Sequence, residues 1–208
     1  RKGVAVTHAA LAWQIDHYAE TIALTPRDRI VSWLPLYHDM GLVACFLMPL
    51  LRGTPVTAHC PFEWVRDPGS WLRAIHEDQG TLAWLPNFAF AFLAERVTEE
   101  DRCAEALASL RGVVSCSEPI RANDLERFRT AFISCGLRAD VFATSYAMAE
   151  TTFAVTSGGF GAPVVTESID DLAFRSRRLA DASFGKGRTA LVVDAQLGLR
   201  KRAPRADD

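Results

Sequence analysis

The segment SYAMAETT, residues 145–152, brings together the side-chain types that a nucleotide site needs. Tyr146 can stack on a flat base, Glu150 can bind a Mg²⁺ ion that bridges phosphates, and Thr151 can donate to a phosphate oxygen. Carboxylate and hydroxyl groups are also common in the first turn of a helix, where they meet free backbone N–H groups. By itself the segment therefore leaves both a ligand-binding turn and a capped helix start open.

A histidine and an aspartate are neighbours in the earlier segment PLYHDMGL, after Tyr37. His38 and Asp39 could act as a base with its orienting carboxylate, or as two ligands of a metal ion. However, neighbours on an extended strand point to opposite faces, and no G-x-S-x-G elbow supplies a nucleophile. The structural alternative is that Asp39 caps the following helix while His38 is half-buried at the edge of a sheet.

Two further segments, LPNF and SCSEPI, end apolar runs that are typical of strands. Asn87 and Phe88 could wall an apolar tunnel, with the Asn87 amide tying the loop, although aromatic residues at this spacing are more often part of a core. The small side chains of SCSEP would let a flat ring approach the backbone. Glu118 could equally cap the next helix.

These segments are expected at one edge of a sheet, because strand-like runs alternate with helical patterns through most of the chain. The alternation predicts an α/β fold with βαβ crossovers and a mainly parallel sheet, in which ligands bind at the carboxyl ends of the strands. Strands are predicted in RIVSWLPLY, TPVTAHC, TLAWLP, LRGVVSCSEP and DVFATSY. Helices are predicted in GLVACFLMPLLRG (buried), DPGSWLRAIHEDQG (Asp67 N-cap, Pro68 first, Gly80 stop), NFAFAFLAERVTEED (Asn87 N-cap) and RANDLERFRTAFISCG (Gly136 stop).

The pattern becomes irregular after SGGFGAPV, although TALVVDA could form one more strand. We therefore divide the chain into a partial domain over residues 1–157 and an atypical, partly disordered tail over residues 158–208. The chain begins at Arg1 rather than at a Met, which is expected of a piece of a longer protein.

Composition excludes several classes of protein. The 208 residues carry a net charge of −2, which gives no basic field for nucleic acid and favours a small-molecule substrate or a protein partner. The longest apolar run, GLVACFLMPLL, is about half the ~20 residues that a membrane span needs. The five scattered cysteines fit neither a disulfide framework nor a zinc site, and indicate a reduced, cytoplasmic protein.

Taken in order, RKGV, LPLYHDMGL, LPNFAF, SEPIRANDLERF and SYAMAETT resemble the motifs of the adenylate-forming superfamily, and most of all those of the fatty acyl-AMP ligases. The resemblance runs from Arg1 to about Val155. It implies that ATP and Mg²⁺ are used to convert a fatty acid into acyl-AMP and pyrophosphate, within a larger protein that passes the acyl group to an acyl carrier protein or polyketide synthase module. It also implies that the chain is part of the large N-terminal domain and has little activity alone.

The same resemblance implies a role for individual residues. The implied catalytic residues are Glu150, which also binds the metal, His38 near the acyl carboxylate, and Lys2 in the phosphate loop. The implied nucleotide-binding residues are Ser117, Glu118, Pro119, Ser145, Tyr146, Ala147 and Thr151. The implied acyl-pocket residues are Asp39, Asn87 and Phe88.

Some features depart from the pattern of the family. Ala147 stands where Gly is usual, so its methyl group is expected beside the base and a positive φ would be costly. SCS replaces a Gly-Ala pair and is expected to tighten the adenine slot, while a ribose-binding aspartate and a lysine-bearing C-terminal domain are not found. Two alternatives therefore stay open: a fatty acyl-CoA ligase, and a non-catalytic remnant that binds only nucleotide or protein.

Overall fold

Short apolar and β-branched runs form one six-stranded sheet in the computed structural model, which describes residues 3–161 and 164–166. The strand order is β2-β1-β3-β4-β5-β6; the first five strands are parallel, and β6 pairs antiparallel with β5. The strands are β1 (Ile30–Ser32), β2 (Val56–Ala58), β3 (Leu82–Pro86), β4 (Gly112–Cys116), β5 (Phe142–Ala147) and β6 (Ala154–Ser157). The predicted α/β fold with a mainly parallel sheet is confirmed.

The helices, of which the first precedes β1, otherwise lie between the parallel strands along the chain, as crossovers require. They are α1 (His8–Thr21), a π-helix (Met40–Leu47) that continues as α2 (Met48–Arg52), α3 (Pro61–Arg66), α4 (Gly69–Asp78), α5 (Asn87–Arg96) and α6 (Ala122–Phe132). Single 3-10 turns cover Ile133–Cys135, Ala139–Val141 and Ala149–Thr151.

Helices cover both faces of the central strands. The strand register places Val113 beside Phe142 and Val114 beside Trp84, so the Phe142 and Trp84 side chains leave opposite faces. The Phe142 ring lies in an aromatic cluster with α5 and α6. Trp84 donates its indole N–H to the Tyr18 hydroxyl of α1, at 2.8 Å. Burial from both sides explains why β4 is fully buried and reads as an unbroken apolar and small run.

The predicted start and end of α4 are corrected. Asp67 does not cap this helix with its side chain, because its carboxylate pairs with Arg73, and Pro68 occupies the N-cap position. The left-handed residue at the end is Gln79, with φ 54°, rather than Gly80. Gly80 is needed for another reason, since a Cβ there would lie 2.6 Å from a Val31 methyl group.

The predicted helix at GLVACFLMPLLRG is present but differs in three ways. The helix begins at Met40, one residue earlier. Its first eight residues, Met40–Leu47, form a π-helix, and only the last five are α-helical, before Gly53 ends it at φ 67°. It is also not buried all round, because Leu42, Phe46 and Leu50 form an exposed stripe on one side. We call this stripe the apolar face.

Two elements were not predicted. Helix α1 begins at an N-cap, Thr7, whose hydroxyl accepts from the Ala10 N–H, and buries Ile15 and Tyr18. Strand β6 follows the SYAMAETT segment, where the alternative prediction was a helix start. The predicted strand in TALVVDA and the proposed tail after residue 166 lie outside the described residues.

The amino-terminal ends of the strands are joined by a buried ion pair. Asp28, with only 2% of its side chain exposed, accepts two hydrogen bonds from the Arg111 guanidinium and one from the Thr81 hydroxyl. Arg111 also donates to the backbone carbonyls of Ile22 and Ala23. We call this group the Asp28–Arg111 network. In the described part of the chain no helix is long and apolar enough to cross a membrane.

Candidate nucleotide and acyl site

The four predicted site segments lie at one edge of the sheet. They follow β1, β3, β4 and β5, which are parallel neighbours in the sheet, so their carboxyl ends meet at the same edge. This arrangement brings the segments together although more than a hundred residues separate the first from the last.

After β1 the chain turns, and His38 and Asp39 contact each other. Asp39 Oδ1 lies 2.7 Å from His38 Nδ1 and accepts a 2.8 Å hydrogen bond from the Met40 N–H, so Asp39 caps the π-helix as predicted. The two side chains meet, although neighbours on an extended strand would point to opposite faces, because β1 ends at Ser32 and residues 36–38 form a turn. The His38 side chain is 46% exposed.

The contact changes the proton affinity of both groups. The hydrogen bond to Asp39 raises the pKa of His38, against the smaller opposing effect of burial. Burial favours a higher pKa for Asp39, but the hydrogen bond and charge of His38, with the Met40 N–H, together lower that pKa. The pair is therefore an ion pair over a wider pH range than the separate groups would allow.

After β3, the Asn87 side chain ties two loops together, as the sequence suggested. It is buried, accepts a 2.8 Å hydrogen bond from the Arg121 N–H and donates a 2.6 Å bond to the Asp124 carboxylate. The predicted capping role is wrong, since Asn87 is the first residue of α5 and Pro86 is the N-cap.

The carboxylate of Glu118 does cap a helix, but not the next one. Its Oε1 accepts a 2.6 Å hydrogen bond from the Phe88 N–H in the first turn of α5, the preceding helix. Helix α6 instead begins after Arg121, without a side-chain cap. The loop after β4 therefore contacts the start of α5 directly.

The segment SCSEP exposes fewer of its small residues than expected. Ser115 and Cys116 are fully buried in β4, so only Ser117 reaches the surface of the site. Burial raises the pKa of the Cys116 thiol to about 11, which keeps it protonated. The Ser117 backbone has φ 75°, and its hydroxyl approaches the Met40 sulfur at 3.7 Å. The left-handed turn at Ser117 directs Glu118 back toward α5.

After β5, the SYAMAETT segment forms the end of a strand and one 3-10 turn. Ser145 is buried and donates to the Thr156 carbonyl of β6, while Tyr146 is half-buried with its hydroxyl 3.6 Å from the Met148 sulfur. Ala147 lies in β5 beside a bulge and is not among the residues with positive φ. The expected cost of a left-handed Ala147 therefore does not arise; the positive φ in this segment is that of Thr152, at 76°.

Glu150 is exposed on the 3-10 turn, and its carboxylate makes no hydrogen bond or ion pair with the described residues. The Thr151 hydroxyl donates to the Met148 carbonyl, at 3.0 Å. Among the described residues no three histidine, cysteine or acidic side chains are grouped as a metal site. A single free carboxylate nevertheless fits Mg²⁺, which is commonly held by one or two carboxylates together with substrate phosphates. Lys2 lies outside the described residues.

Sequence reasoning missed a buried amide beneath this turn. In the orientation that satisfies its hydrogen bonds, the Gln14 amide of α1 donates to the carbonyls of Thr151 and Ala154, at 3.2 and 3.1 Å. Phe153 packs edge-on against Tyr18, with ring centroids 5.2 Å apart. Polar Gln14 on the apolar side of a Thr-capped helix was the available signal.

An aromatic wall beside the acyl segment was also missed. Trp33 stacks on Trp64 with ring centroids 3.7 Å apart, and Phe88 meets both rings edge-on at 6.2 and 6.3 Å. The two tryptophans are buried, whereas Phe88 is 50% exposed. The wall therefore presents the Phe88 ring to the surface and is suited to an apolar ligand.

The described contacts form two groups. Helix α5 and the loop after β4 are joined by direct hydrogen bonds, and Ser117 extends this group to the π-helix beside Asp39. The Tyr146 and Thr151 hydroxyls instead bond to Met148 of their own segment, and the Glu150 carboxylate bonds to none of the described residues. The SYAMAETT turn and the aromatic wall thus belong to two separately bonded groups at the same edge of the sheet.

Comparison with known proteins identifies the family. The profile of the AMP-binding enzymes matches residues 1–176. The chain is 32% identical over 177 residues to the long-chain-fatty-acid–AMP ligase FadD28 of Mycobacterium tuberculosis, covering 85% of this chain and 30% of that protein. It is 31% identical to the medium-chain-fatty-acid–[acyl-carrier-protein] ligase TtuA of Teredinibacter turnerae, covering 92% and 30%.

A solved structure gives the same result. The fatty acyl-adenylate ligase of Legionella pneumophila, in complex with acyl adenylate and pyrophosphate, superposes with a TM-score of 0.75 at 32% identity, over 82% of this chain and 31% of that one. The chain thus spans about 30% of the length of the relatives it matches. With a family profile that covers most of its residues, the chain belongs to the AMP-binding enzyme family.

Proposed function

We propose that this chain forms part of the site at which a fatty acid and ATP are converted into acyl-AMP and pyrophosphate. The observation that carries the proposal is the convergence of four segments at the carboxyl edge of the sheet, in a chain similar to a ligase whose structure holds acyl adenylate and pyrophosphate. The relatives FadD28 and TtuA are both named as fatty-acid ligases.

On the nucleotide side, Tyr146 stacks on adenine and the loop Ser117, Glu118 and Pro119 forms the opposite wall of the slot. Half-burial of Tyr146 supports this role, since part of the side chain stays accessible to a ligand. Ser145 and Ala147 fix the strand end on either side of Tyr146. Thr151 orients the turn that carries Glu150.

Glu150 would hold Mg²⁺, and the metal would neutralise charge on the ATP phosphates. Its exposed carboxylate, free of partners among the described residues, supports this assignment. The metal would reduce repulsion between the phosphates and the incoming carboxylate.

On the acyl side, the exposed Phe88 ring, backed by the buried stacked tryptophans, contacts the start of the acyl chain, and Asn87 fixes the start of the helix that carries Phe88. His38, held protonated by Asp39 over an extended pH range, lies near the acyl carboxylate and orients it. A carboxylate oxygen forms the new bond to the α-phosphorus, while the bond from that phosphorus to the pyrophosphate oxygen breaks. Most of the rate enhancement then comes from positioning and charge neutralisation.

Complete turnover requires further parts of the family domain. Lys2 is proposed as the phosphate-loop lysine. The apolar face of Leu42, Phe46 and Leu50 is exposed in this chain. We propose a carrier protein as the acyl acceptor, because TtuA is named as an acyl-carrier-protein ligase, and we place the reaction in the cytoplasm. Transfer to CoA is the competing outcome: a malonyl-CoA ligase is a structural neighbour at 29% identity and a TM-score of 0.62.

Calorimetry with a non-hydrolysable acyl-AMP analogue tests the site in this chain. We expect binding at or below millimolar concentration, and a loss of about tenfold or more in affinity for Mg²⁺·ATP when Glu150 is changed to Ala. Glu99→Ala is the matched control, because Glu99 is an exposed carboxylate whose contact is a surface pair with Arg102. No binding of the analogue by the wild-type chain would favour a non-catalytic remnant.

ATP–pyrophosphate exchange tests the reaction itself. We expect exchange to depend on a fatty acid in a protein that contains the complete family domain, and to be weak or absent with the 208-residue chain. Exchange that responds only to amino acids would overturn the substrate assignment. Following the acyl group to a carrier protein or to CoA separates the two acceptors.

A further inference from the structure

Three hydrogen bonds join the start of α5 to the loop after β4 and to the first turn of α6. Phe88 N–H donates to Glu118, Arg121 N–H donates to the Asn87 side chain, and Asn87 donates to Asp124. We call these five residues the α5 clamp. The bonds connect positions 30 to 37 residues apart in the sequence, so they are tertiary contacts rather than local helix caps.

Glu118 supplies what α5 lacks locally. The first N–H groups of a helix have no partner inside the helix, and the N-cap residue Pro86 has no side-chain acceptor. A carboxylate at this position also interacts favourably with the positive end of the helix dipole. The start of α5 is therefore completed by a residue of the neighbouring loop.

The same contact holds the loop in an otherwise unfavourable shape. Ser117 has φ 75°, in the left-handed region that is unfavourable for a residue with a Cβ. The Glu118 bond to Phe88 and the paired Asn87 amide offset this cost, because both bonds form only when the loop turns back toward α5. Asn87 is only 3% exposed, so it has no solvent alternative for its two hydrogen-bonding groups.

The clamp joins the two halves of the proposed site. Phe88, whose backbone is held by Glu118, places its ring against Trp33 and Trp64 in the aromatic wall. Ser117, one residue before Glu118, lies in the proposed adenine slot. A displacement of the Phe88 backbone is therefore transmitted to the slot through one hydrogen bond.

We infer that Glu118 is a positioning residue that couples the acyl side of the site to the nucleotide side, an inference that rests on the proposed function. An acyl chain packed against the aromatic wall stabilises the clamped shape of the loop, and the clamped loop favours binding of the adenine ring. Because such coupling is reciprocal, each ligand raises the affinity of the other by the same factor. Glu118 itself acts through the Phe88 N–H and the shape of its loop, without contacting the reacting atoms.

The experiment is a two-ligand titration of the isotope-labelled 208-residue chain, followed by the amide resonances of Ser117 and Phe88. AMP and decanoate are the probes. We expect AMP to shift both amides, and decanoate to tighten AMP binding by about fivefold. In Glu118→Ala the AMP shift at Phe88 and the tightening by decanoate should both be lost, whereas Glu118→Gln, which keeps an acceptor oxygen, should retain most of each.

Glu95→Gln is the matched control for a merely structural role. Glu95 is an exposed carboxylate of α5 that pairs with Arg127 of α6, so it also joins these helices but lies away from the site. Its variant should keep the full coupling factor. Equal loss of coupling in Glu95→Gln and Glu118→Ala would show that general helix packing is responsible, and would overturn the inference.

The remaining outcomes separate this inference from the proposed function. If AMP and decanoate both bind but neither changes the affinity of the other, the coupling is absent while the site assignment stands. If Glu118→Ala stays folded and retains the fivefold factor, Glu118 is not the coupling residue. If AMP shifts neither the Ser117 nor the Phe88 amide, the nucleotide site is wrong, and the coupling is wrong with it.

Discussion

The two edges of the sheet hold their polar side chains in different ways. At the amino edge, the Asp28 carboxylate is buried, and its two oxygens are bonded to Arg111 and Thr81. At the carboxyl edge, the acidic residues Asp39, Glu118 and Glu150 are partly or fully exposed. The Glu150 carboxylate makes no hydrogen bond or ion pair with the described residues. Both edges use carboxylates, but only the amino edge removes them from solvent.

The difference shows how the fold divides stability from binding. A fully bonded buried group has one favourable arrangement and cannot accept a ligand without breaking it. An exposed carboxylate or a half-buried ring keeps bonding capacity for a substrate. We therefore expect changes at the amino edge to affect the free energy of unfolding, and changes at the carboxyl edge to affect binding and protonation.

The largest effect is expected from Asp28→Ala. It leaves the Arg111 guanidinium without its partner in a largely buried position, which typically costs about 3–5 kcal/mol of unfolding free energy. Urea unfolding measures the change. Asp140→Ala, which breaks an exposed pair with Arg138, should cost less than about 1 kcal/mol. A similar loss of unfolding free energy in both variants would contradict the expected difference between a buried and an exposed ion pair.

Strong acid should weaken the amino edge. The hydrogen bonds from Arg111 and Thr81 outweigh burial and lower the pKa of Asp28 from 3.8 to about 2. Because the folded pKa is the lower one, this stabilisation is complete above pH 4 and is lost as the pH falls toward 2, amounting to about 2 kcal/mol. Urea unfolding at pH 4 and pH 2 should show a smaller difference for Asp28→Asn than for the wild type. An equal loss of unfolding free energy in both proteins would show that the acid sensitivity comes from other groups.

Ser117→Gly should raise the free energy of unfolding, although it removes the contact of the Ser117 hydroxyl with the Met40 sulfur at the carboxyl edge. Glycine has no Cβ penalty at φ 75°, so we expect an increase of about 1 kcal/mol in unfolding free energy. Ser134→Gly is the control, because Ser134 lies in a 3-10 turn without positive φ and the same change there should be neutral or destabilising. A destabilised Ser117→Gly would mean that the Ser117 hydroxyl contributes more than the backbone strain costs.

The smallest effect on stability is expected at His38. Its ring should titrate with a midpoint above 6.5 in a pH series of NMR spectra, and Asp39→Asn should move the midpoint down because the carboxylate charge is removed. Since the folded pKa is raised, the stabilisation from this contact is lost as the pH rises through it. Asp78→Asn, whose carboxylate accepts from Thr57, should leave the midpoint unchanged. An unchanged midpoint in Asp39→Asn would show that the His38 ring is not paired with Asp39.

The sequence predicted the architecture because the relevant signals repeat along the chain. Alternating strand and helix patterns predicted the parallel sheet, and the parallel sheet in turn predicted that the four site segments share one edge. The residues of α6 followed the expected pattern, with Leu125, Phe128 and Phe132 buried and Gly136 in the left-handed region.

The failures occurred where the outcome depends on contacts that sequence does not encode locally. Glu118 was expected either to line the base or to cap the next helix, and only the neighbouring strand order shows that the orphan N–H of Phe88 is within reach. His38 and Asp39 converge because the strand ends several residues earlier than its apolar pattern suggests. Asp28 and Arg111 carry no motif at all, since their pairing follows from the order of the strands.

The Asp28–Arg111 network also has a kinetic consequence. Its two ends are 83 residues apart, so the contact closes a long loop and can form only after β1, β3 and β4 have assembled. Contacts that form after the folding transition state act mainly on the unfolding rate. We therefore expect this ion pair to lengthen the lifetime of the folded chain much more than it speeds folding, so that Asp28→Ala shortens that lifetime while the refolding rate hardly changes.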